Sequence, residues 1–441
     1  MKLFKTAPLL LTLLFAGCAA GGPSAQPVGT ASPPPSPTPL PPVVEEDFEP
    51  APAPPTLWMA DESGWRLAAG GEGAAYCLVD GEQFTAHLVK LDYASGVQTY
   101  WPDGLQSTFD ENDPGWIGDI YGGARPVAFG QNLYVFKYGK IPLKNANLEG
   151  SPARLHRLAG GGRSTVEAEP DCPFESVGGI ATDGQELYLL ACKFDEEGER
   201  QEYRVCRTDF ETGGLQTLAA MDAAEGDYRL VGVWAEGLML RHSAAGARSG
   251  SVKERQHQLM LFSLVDGSLR PAGFAWNEDE TTCVFGSGCV YYLPKAQGRL
   301  FRFDVATGAS DEGVALHREG DDEPVAATLF GEDYGSHLMG YTSINEGSRM
   351  VSIETATGLM KEVELGFEYD MGWMPMTIAA ETDTQFLVNS SMRQTSAAVS
   401  MADGSPHTVY LPVRSWALID KEDYWNSRPA LKTFTEEVPV L

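Results

Sequence analysis

Residues 300–308 read Leu-Phe-Arg-Phe-Asp-Val-Ala-Thr-Gly, an alternating strand that ends in an Asp and a Thr-Gly turn. Alternation of this kind is typical of a half-buried strand, and Asp, Thr and Gly are common in tight turns. The pattern returns in degraded form at residues 90–92, 156–158, 207–209, 263–267, 352–354 and 400–404. This stretch therefore predicts a repeat protein in which it ends the third strand of each unit.

The third unit shows the full repeat most clearly. Its four strands are predicted at residues 176–181, 186–193, 203–209 and 215–219, with a Gly-bearing turn after the first and after the third. Four short strands in roughly 40–60 residues are the size of a propeller blade. The chain lacks long helical periodicity, so we predict an all-β, seven-bladed β-propeller over residues 56–414, with six or eight blades as the alternatives.

The turn Asp304-Val305-Ala306-Thr307-Gly308, echoed by Glu354-Thr355-Ala356-Thr357-Gly358, resembles the repeats of PQQ-enzyme-like and TolB-like bacterial propellers. The resemblance covers roughly residues 64–412 and implies the propeller fold. In the PQQ type a Trp usually follows this turn. Here only the turn at residues 92–96 is followed by one, Trp101, so we expect no quinone and no other cofactor.

The N-terminus predicts export. Lys2 and Lys5 precede an apolar run, and Leu14-Phe15-Ala16-Gly17-Cys18 resembles a bacterial lipobox, the motif of surface lipoproteins. We expect residues 1–17 to be a signal peptide and Cys18 to carry the lipid anchor. The mature protein would then be extracytoplasmic, attached to a bacterial membrane at the cell surface or in the periplasm.

Residues 18–55 form a Pro-rich linker. Pro accounts for 13 of the 37 residues after Cys18, a composition that cannot build a core. Pro-rich chain extends by about 3.1 Å per residue, so we interpret this segment as a semi-rigid tether between the lipid and the propeller.

The protein is strongly acidic, with a formal net charge of −29 that becomes −31 once Lys2 and Lys5 are removed with the signal peptide. Such a field repels polyphosphates and anionic lipid headgroups. We therefore expect no nucleic acid partner, and membrane contact only through the lipid on Cys18.

Two cysteine pairs flank predicted hairpin turns in a protein that we expect to be exported. Cys192 and Cys206 flank one, and Cys283 and Cys289 flank the other. Both pairs are candidate disulfides, while buried thiols in strands are the alternative.

A ring of blades must also be closed. The C-terminal tail, residues 415–441, and the segment at residues 56–60 are the two candidates for a closing or capping strand.

The predicted connections separate into two faces. The short-turn face carries the first-to-second and third-to-fourth turns, such as residues 183–184 and 307–308. The long-loop face carries the second-to-third loops and blade-to-blade links, where the insertions fall: residues 102–124, 138–152, 243–257, 275–281, 320–324 and 366–375. Since binding residues concentrate on loops held by a rigid scaffold, we expect the ligand at the long-loop face. Its candidate aromatic contacts are Trp101, Trp116, Tyr121, Trp276, Tyr369 and Trp373.

Searches for GxSxG, HExxH and P-loop motifs find nothing, and the cysteine spacings do not match a zinc site. We expect no metal site and assign no catalytic residue. The sequence favours a binding or scaffold module for a protein, peptide or cell-wall glycan. A carboxylate-dependent glycan hydrolase or lyase using the same face is the alternative, which would need two facing carboxylates about 5–10 Å apart.

Overall fold

The computed structural model describes residues 56–61, 68–80, 85–102, 115–119, 123–139, 152–159, 162–167, 178–195, 199–244, 256–320, 325–344, 347–369, 372–400 and 406–436. These residues form seven antiparallel blades, each with four strands. The predicted seven-bladed β-propeller is confirmed. Cys18, the signal peptide and the tether lie outside the described residues.

The first four blades follow one another along the chain. Their strands are β2 (Ala68–Gly70), β3 (Ala74–Asp80), β4 (Thr85–Asp92) and β5 (Val97–Tyr100); β7 (Ala124–Phe129), β8 (Asn132–Lys137), β9 (Arg154–Ala159) and β10 (Gly162–Glu167); β11 (Ile180–Thr182), β12 (Leu187–Phe194), β13 (Arg200–Asp209) and β14 (Gly214–Asp222); β15 (Gly226–Trp234), β16 (Gly237–Ala244), β17 (Gln256–Ser263) and β18 (Leu269–Asn277).

The last three blades complete the ring. Their strands are β19 (Thr281–Gly286), β20 (Cys289–Pro294), β21 (Arg299–Asp304) and β22 (Ala309–Ser310); β25 (Thr328–Phe330), β26 (His337–Ile344), β27 (Gly347–Glu354) and β28 (Leu359–Glu362); β31 (Ile378–Glu381), β32 (Gln385–Ser400), β33 (Pro406–Asp420) and β34 (Lys432–Thr433).

Smaller elements decorate the blades. They are β1 (Trp58–Asp61), β6 (Trp116–Asp119), β23 (Val314–Ala315), β24 (His317–Arg318), the hairpin β29 (Gly366–Tyr369) with β30 (Gly372–Pro375), the helix α1 (Lys421–Trp425) and β35 (Thr435–Glu436). Within the described residues, no helix is long and apolar enough to cross a membrane.

The core is divided among the contacts between neighbouring blades. Seven clusters of buried apolar side chains each combine residues from two adjacent blades. One of them joins Leu418 of the seventh blade to Leu91 of the first. A single blade has two apolar faces and buries them only against its neighbours, so the ring folds as a unit.

The C-terminal tail closes the ring. β33 continues from Pro406 to Asp420, so the predicted boundary at 414 falls inside a strand of the seventh blade. β34 is the outer strand of that blade, and β35 then pairs in parallel with β5 of the first blade. One short segment thus ties the last blade to the first.

The seventh blade departs from the predicted register. Ser400 ends the second strand, β32, and pairs with Pro406, so the residue 400–404 motif does not end a third strand. The two central strands are 16 and 15 residues long, far longer than the other inner strands. A pattern that assigns one motif to each third strand cannot detect this lengthened hairpin.

Candidate functional site

The predicted division into two faces holds only in part, because the third-to-fourth connection of the seventh blade, residues 421–431, is long and carries the helix α1 on the short-turn face. First-to-second turns have two to six residues, as at 130–131 and 331–336. The second-to-third connections of the second and fourth blades, residues 138–153 and 245–255, are much longer. The predicted insertion at residues 275–281 is wrong. Trp276 lies within β18, paired with His257, so only residues 278–280 connect the fourth and fifth blades.

Asp side chains organise the short-turn face. Asp304 accepts hydrogen bonds from the backbone N–H and the hydroxyl of Thr307, and Asp92 accepts the same pair from Ser95. These bonds stabilise the carboxylate and lower the pKa of both Asp side chains. The repeat motif therefore forms the same structural turn at these two positions.

β1 runs along the inner edge of the third blade. It pairs antiparallel with β11, with Trp58 opposite Thr182 and Asp61 opposite Ile180, and it also contacts β7 and β15. β11 runs towards its short turn, so β1 runs the opposite way, from the short-turn face towards the long-loop face. Trp58, the first residue of β1, therefore lies at the short-turn face.

An ion pair buried at the end of β1 fixes this strand. Asp61 Oδ2 lies 2.7 Å from Arg125 Nη1, and their side chains are only 2% and 5% exposed. Arg125 also donates from Nη2 to the carbonyl oxygen of Gly178 at 3.3 Å. One arginine thus connects β1, the second blade and the start of the third.

Two of the predicted aromatic residues meet at the first blade. Trp101 follows β5, while Trp116 opens β6 and pairs with His87 of β4. Both tryptophans are half-buried. A Cβ on Gly115 would lie 2.1 Å from the carbonyl oxygen of Trp101, so the close approach of the two segments requires glycine. Trp101 packs against the core between the first and second blades.

Trp276 was predicted as a surface contact, and this prediction is wrong. Its side chain is 7% exposed and packs on Phe274, Phe285 and His257 in the core between the fourth and fifth blades. The residue occupies an inward position of β18, and the apparent insertion that suggested exposure is a strand.

The hairpin β29–β30 carries the other aromatics. Trp373 is 51% exposed, and Tyr369, at the opposite side of the hairpin turn, is half-buried. This hairpin belongs to the link between the sixth and seventh blades, on the long-loop face. Tyr121 lies outside the described residues.

The candidate disulfides are also corrected. Cys192 packs with Tyr203 on the core towards the fourth blade, whereas Cys206 packs on the core towards the second. Cys283 pairs with Tyr292, and Cys289 with Gly286. Successive residues of a strand alternate between its faces, so each pair of thiols lies on opposite faces of its blade and cannot bond. The Cys192 and Cys206 thiols instead donate to backbone carbonyls of Lys193 and Arg204.

A polar cluster in the fourth blade was not predicted. Ser243 Oγ lies 2.7 Å from His257 Nδ1, and His257 Nε2 lies 2.9 Å from Glu278 Oε2. A carboxylate only accepts, so in the neutral ring Nε2 donates to Glu278 and Nδ1 accepts from the Ser243 hydroxyl. Ser243 is 7% exposed in a regular strand, so the chain of bonds positions Glu278 rather than presenting a nucleophile.

Two more charged groups belong to this cluster. Asp227 Oδ1 accepts from Tyr203 at 2.6 Å and from Arg200 at 3.3 Å. Arg241 lies on β16, two residues before Ser243, and experiences the negative charges of Glu278 and Asp227. Burial lowers the pKa of Arg241, which these two carboxylates partly offset. We call Asp227, Arg241, Ser243, His257 and Glu278 the blade-four cluster. It lies at the long-loop end of the blade.

Sequence reasoning missed this cluster because its members are spread over 52 positions, from 227 to 278. The available signal was weak: Ser243 and His257 flank a loop, which makes them cross-strand neighbours in a hairpin. Among the described residues, no group of three or more His, Cys, Asp or Glu side chains is placed to hold a metal ion.

A cleft of about 170 Å³ lies between the fifth and sixth blades, lined by residues that include Leu300, Arg302 and Thr355. Ligand pockets commonly measure about 300–1,000 Å³, so this cleft is too small for most ligands.

No family model and no curated protein sequence matches this chain. Among solved structures, it is similar to an oligogalacturonate lyase from Vibrio parahaemolyticus, with 12% identity, 81% of this chain and 91% of that chain covered, and a TM-score of 0.40. A putative 6-phosphogluconolactonase from Bacteroides fragilis has 11% identity, coverage of 78% and 96%, and a TM-score of 0.38.

TolB from Acinetobacter baumannii is also similar, with 8% identity, coverage of 80% and 77%, and a TM-score of 0.31. At these identities and TM-scores, none of the three activities is carried over to this chain.

Proposed function

We propose that this chain is a lipid-anchored extracytoplasmic β-propeller that binds a protein, peptide or cell-wall glycan at its long-loop face. The direction of β1 carries this proposal. Trp58 is at the short-turn face, so the first described strand of the ring begins on the side opposite the long loops. A membrane anchor at Cys18 would hold the protein by its short-turn face and leave the long-loop face available to a partner.

The exposed side chains are consistent with this arrangement. Trp373 presents about half of its surface on the long-loop face, and Trp residues are frequent anchors in interfaces. Trp58, which is 41% exposed on the other face, packs edge-on against Phe129 and lies beside Gly184, a role in seating β1. Trp373 would therefore contact the partner, whereas Trp58 seats β1 on the ring.

The anchor is tested by mass analysis of the mature N-terminus in a bacterial host. We expect a diacyl- or triacyl-modified Cys18 as the first residue, and we expect Cys18→Ser to release the protein from the membrane fraction. An unmodified Cys18, or a mature chain that begins at another residue, contradicts the anchor.

The binding function is tested by a glycan-array and pull-down screen with residues 56–441. We expect a specific ligand whose binding is weakened by Trp373→Ala. Turnover of a glycan during the screen would instead favour the hydrolase or lyase alternative.

A further inference from the structure

We propose that Arg241 binds an oxyanion, the carboxylate or phosphate group of a small ligand, in the blade-four cluster. This assigns a ligand chemistry to a site on β16, and it does not depend on the lipid anchor.

Among the described residues, none is a hydrogen-bond or ion-pair partner of the Arg241 guanidinium. The Arg241 side chain is half-buried. Its Nε is buried without an acceptor. Buried polar groups are nearly always hydrogen-bonded, and a buried charge without a partner is costly. An acceptor supplied by a ligand removes this cost.

The neighbouring carboxylates are held by other residues. Glu278 Oε2 accepts from His257 Nε2, and that ring is fixed at Nδ1 by Ser243. Asp227 Oδ1 accepts from both Tyr203 and Arg200. Both carboxylates act on Arg241 through space, yet neither forms an ion pair with it among the described contacts. The surrounding network therefore leaves the arginine available to an incoming acceptor.

A second arginine increases the positive charge at this position. Arg229 of β15 is the direct cross-strand partner of Arg241. Like charges that lie directly opposite each other in a sheet are destabilising. Burial lowers the pKa of Arg229, and the charges of Arg241 and Arg125 lower it further, against the opposing effect of Asp61. An anion beside Arg241 offsets part of this repulsion.

The chemistry of the site limits the ligand. The planar guanidinium fork of arginine matches a carboxylate or phosphate with two parallel hydrogen bonds. The net charge of −29 repels polyanions from the protein as a whole. A ligand with one or two negative charges satisfies both conditions.

Isothermal titration of the full-length protein with acetate and with inorganic phosphate tests the site, with chloride holding the ionic strength constant. We expect saturable binding of at least one anion, and a dissociation constant raised about 10- to 100-fold by Arg241→Gln, the loss expected for charge-assisted hydrogen bonds. The control Arg349→Gln removes an exposed arginine that pairs with Glu362 on the sixth blade, and should bind as the wild type does. The ratio of the dissociation constants for acetate and phosphate shows which oxyanion the site prefers.

A second variant tests the availability of Arg241 without changing it. His257→Phe keeps an aromatic ring beside Trp276 and removes the donor that holds Glu278. Without this hydrogen bond Glu278 should interact more strongly with Arg241 and weaken anion binding, with the fold verified by circular dichroism. No saturable binding of either anion by the wild type overturns the proposal, as does equal binding by wild type and Arg241→Gln. If Arg241→Gln does not fold, undiminished binding by a folded His257→Phe overturns it.

Discussion

At the scale of single residues, the ion pair between Asp61 of β1 and Arg125 is almost completely buried. Arg125→Met removes the 2.7 Å contact between Arg125 Nη1 and Asp61 Oδ2 in a site that is nearly inaccessible to water. We expect a loss of about 3–5 kcal/mol in the free energy of unfolding, measured by urea denaturation.

The double variant Asp61→Leu with Arg125→Met is the matched control. It removes both charges, so it should be more stable than Arg125→Met alone. A double variant less stable than the single one would show that the pair does not account for the loss.

His156 predicts a dependence of stability on pH. Burial, followed by the charges of Arg163, Lys137 and Arg154, lowers its pKa to about 3 from an ordinary 6.5. The folded protein therefore holds the ring neutral while the unfolded chain protonates it. The contribution of His156 to the free energy of unfolding is complete above pH 6.5. It is lost as pH falls towards 3, at up to about 1.4 kcal/mol per pH unit.

We expect His156→Gln to flatten the decline of unfolding free energy between pH 6 and pH 4, as followed by urea denaturation at each pH. Identical slopes in the variant and the wild type would contradict a buried neutral His156.

Several residue-level predictions failed because they relied on distance along the chain. Sequence distance placed Cys192 near Cys206 and Cys283 near Cys289, but strand alternation puts the members of each pair on opposite faces. Trp276 was assigned to a loop, and its inward position followed from the unrecognised length of β18. Arg241 has no sequence signature at all, since its lack of a partner among the described residues depends on how other strands engage Glu278 and Asp227.

At the scale of elements, the turn in residues 304–308 was predictable because its chemistry is local. Asp304 bonds Thr307, and Gly308 takes a φ of 68°, a conformation that glycine tolerates best. The strands of the third blade were predicted within a few residues for similar reasons. The hairpin of the seventh blade was not, because the length of β32 and β33 breaks the repeat.

Two glycines of equivalent turns allow a matched comparison. A Cβ on Gly308 meets nothing within 4 Å, so Gly308→Ala should cost only the left-handed backbone strain, about 1–2 kcal/mol. A Cβ on Gly358 would lie 2.2 Å from the carbonyl oxygen of Ala315, so Gly358→Ala should cost about 2–5 kcal/mol. Thermal denaturation of both variants checks the order, and equal losses would contradict it.

β1 is predicted to be part of the folded ring rather than of the linker. Removal of residues 1–61 deletes β1 with its pairing to β11 and its Asp61–Arg125 contact. We expect a melting temperature several degrees lower than that of a chain lacking only residues 1–55, because the deleted segment contains the buried residues Leu57, Ala60 and Asp61. Equal melting temperatures would show that β1 contributes nothing.

At the scale of the whole molecule, the sequence repeat predicted the number of blades. It did not predict which segment closes the ring between the last blade and the first. The sequence left two candidates for the closing segment, and the structure uses the C-terminal one, through β34 and β35. Residues 56–60 lie instead at the inner edge of the third blade. Such long-range placement depends on packing between distant segments, which local patterns do not encode.

The central claim, that partners bind the long-loop face, is tested most directly by comparing two exposed apolar residues on opposite faces. Trp373 is 51% exposed on the long-loop face, and Val265 is 67% exposed in a third-to-fourth turn on the short-turn face. Binding of the ligand found in the screen should be measured by isothermal titration for Trp373→Ala and Val265→Ser, each with an unchanged circular dichroism spectrum. We predict that Trp373→Ala weakens binding about 10-fold or more while Val265→Ser binds as the wild type does. Weakening by Val265→Ser with no effect of Trp373→Ala would contradict the claim.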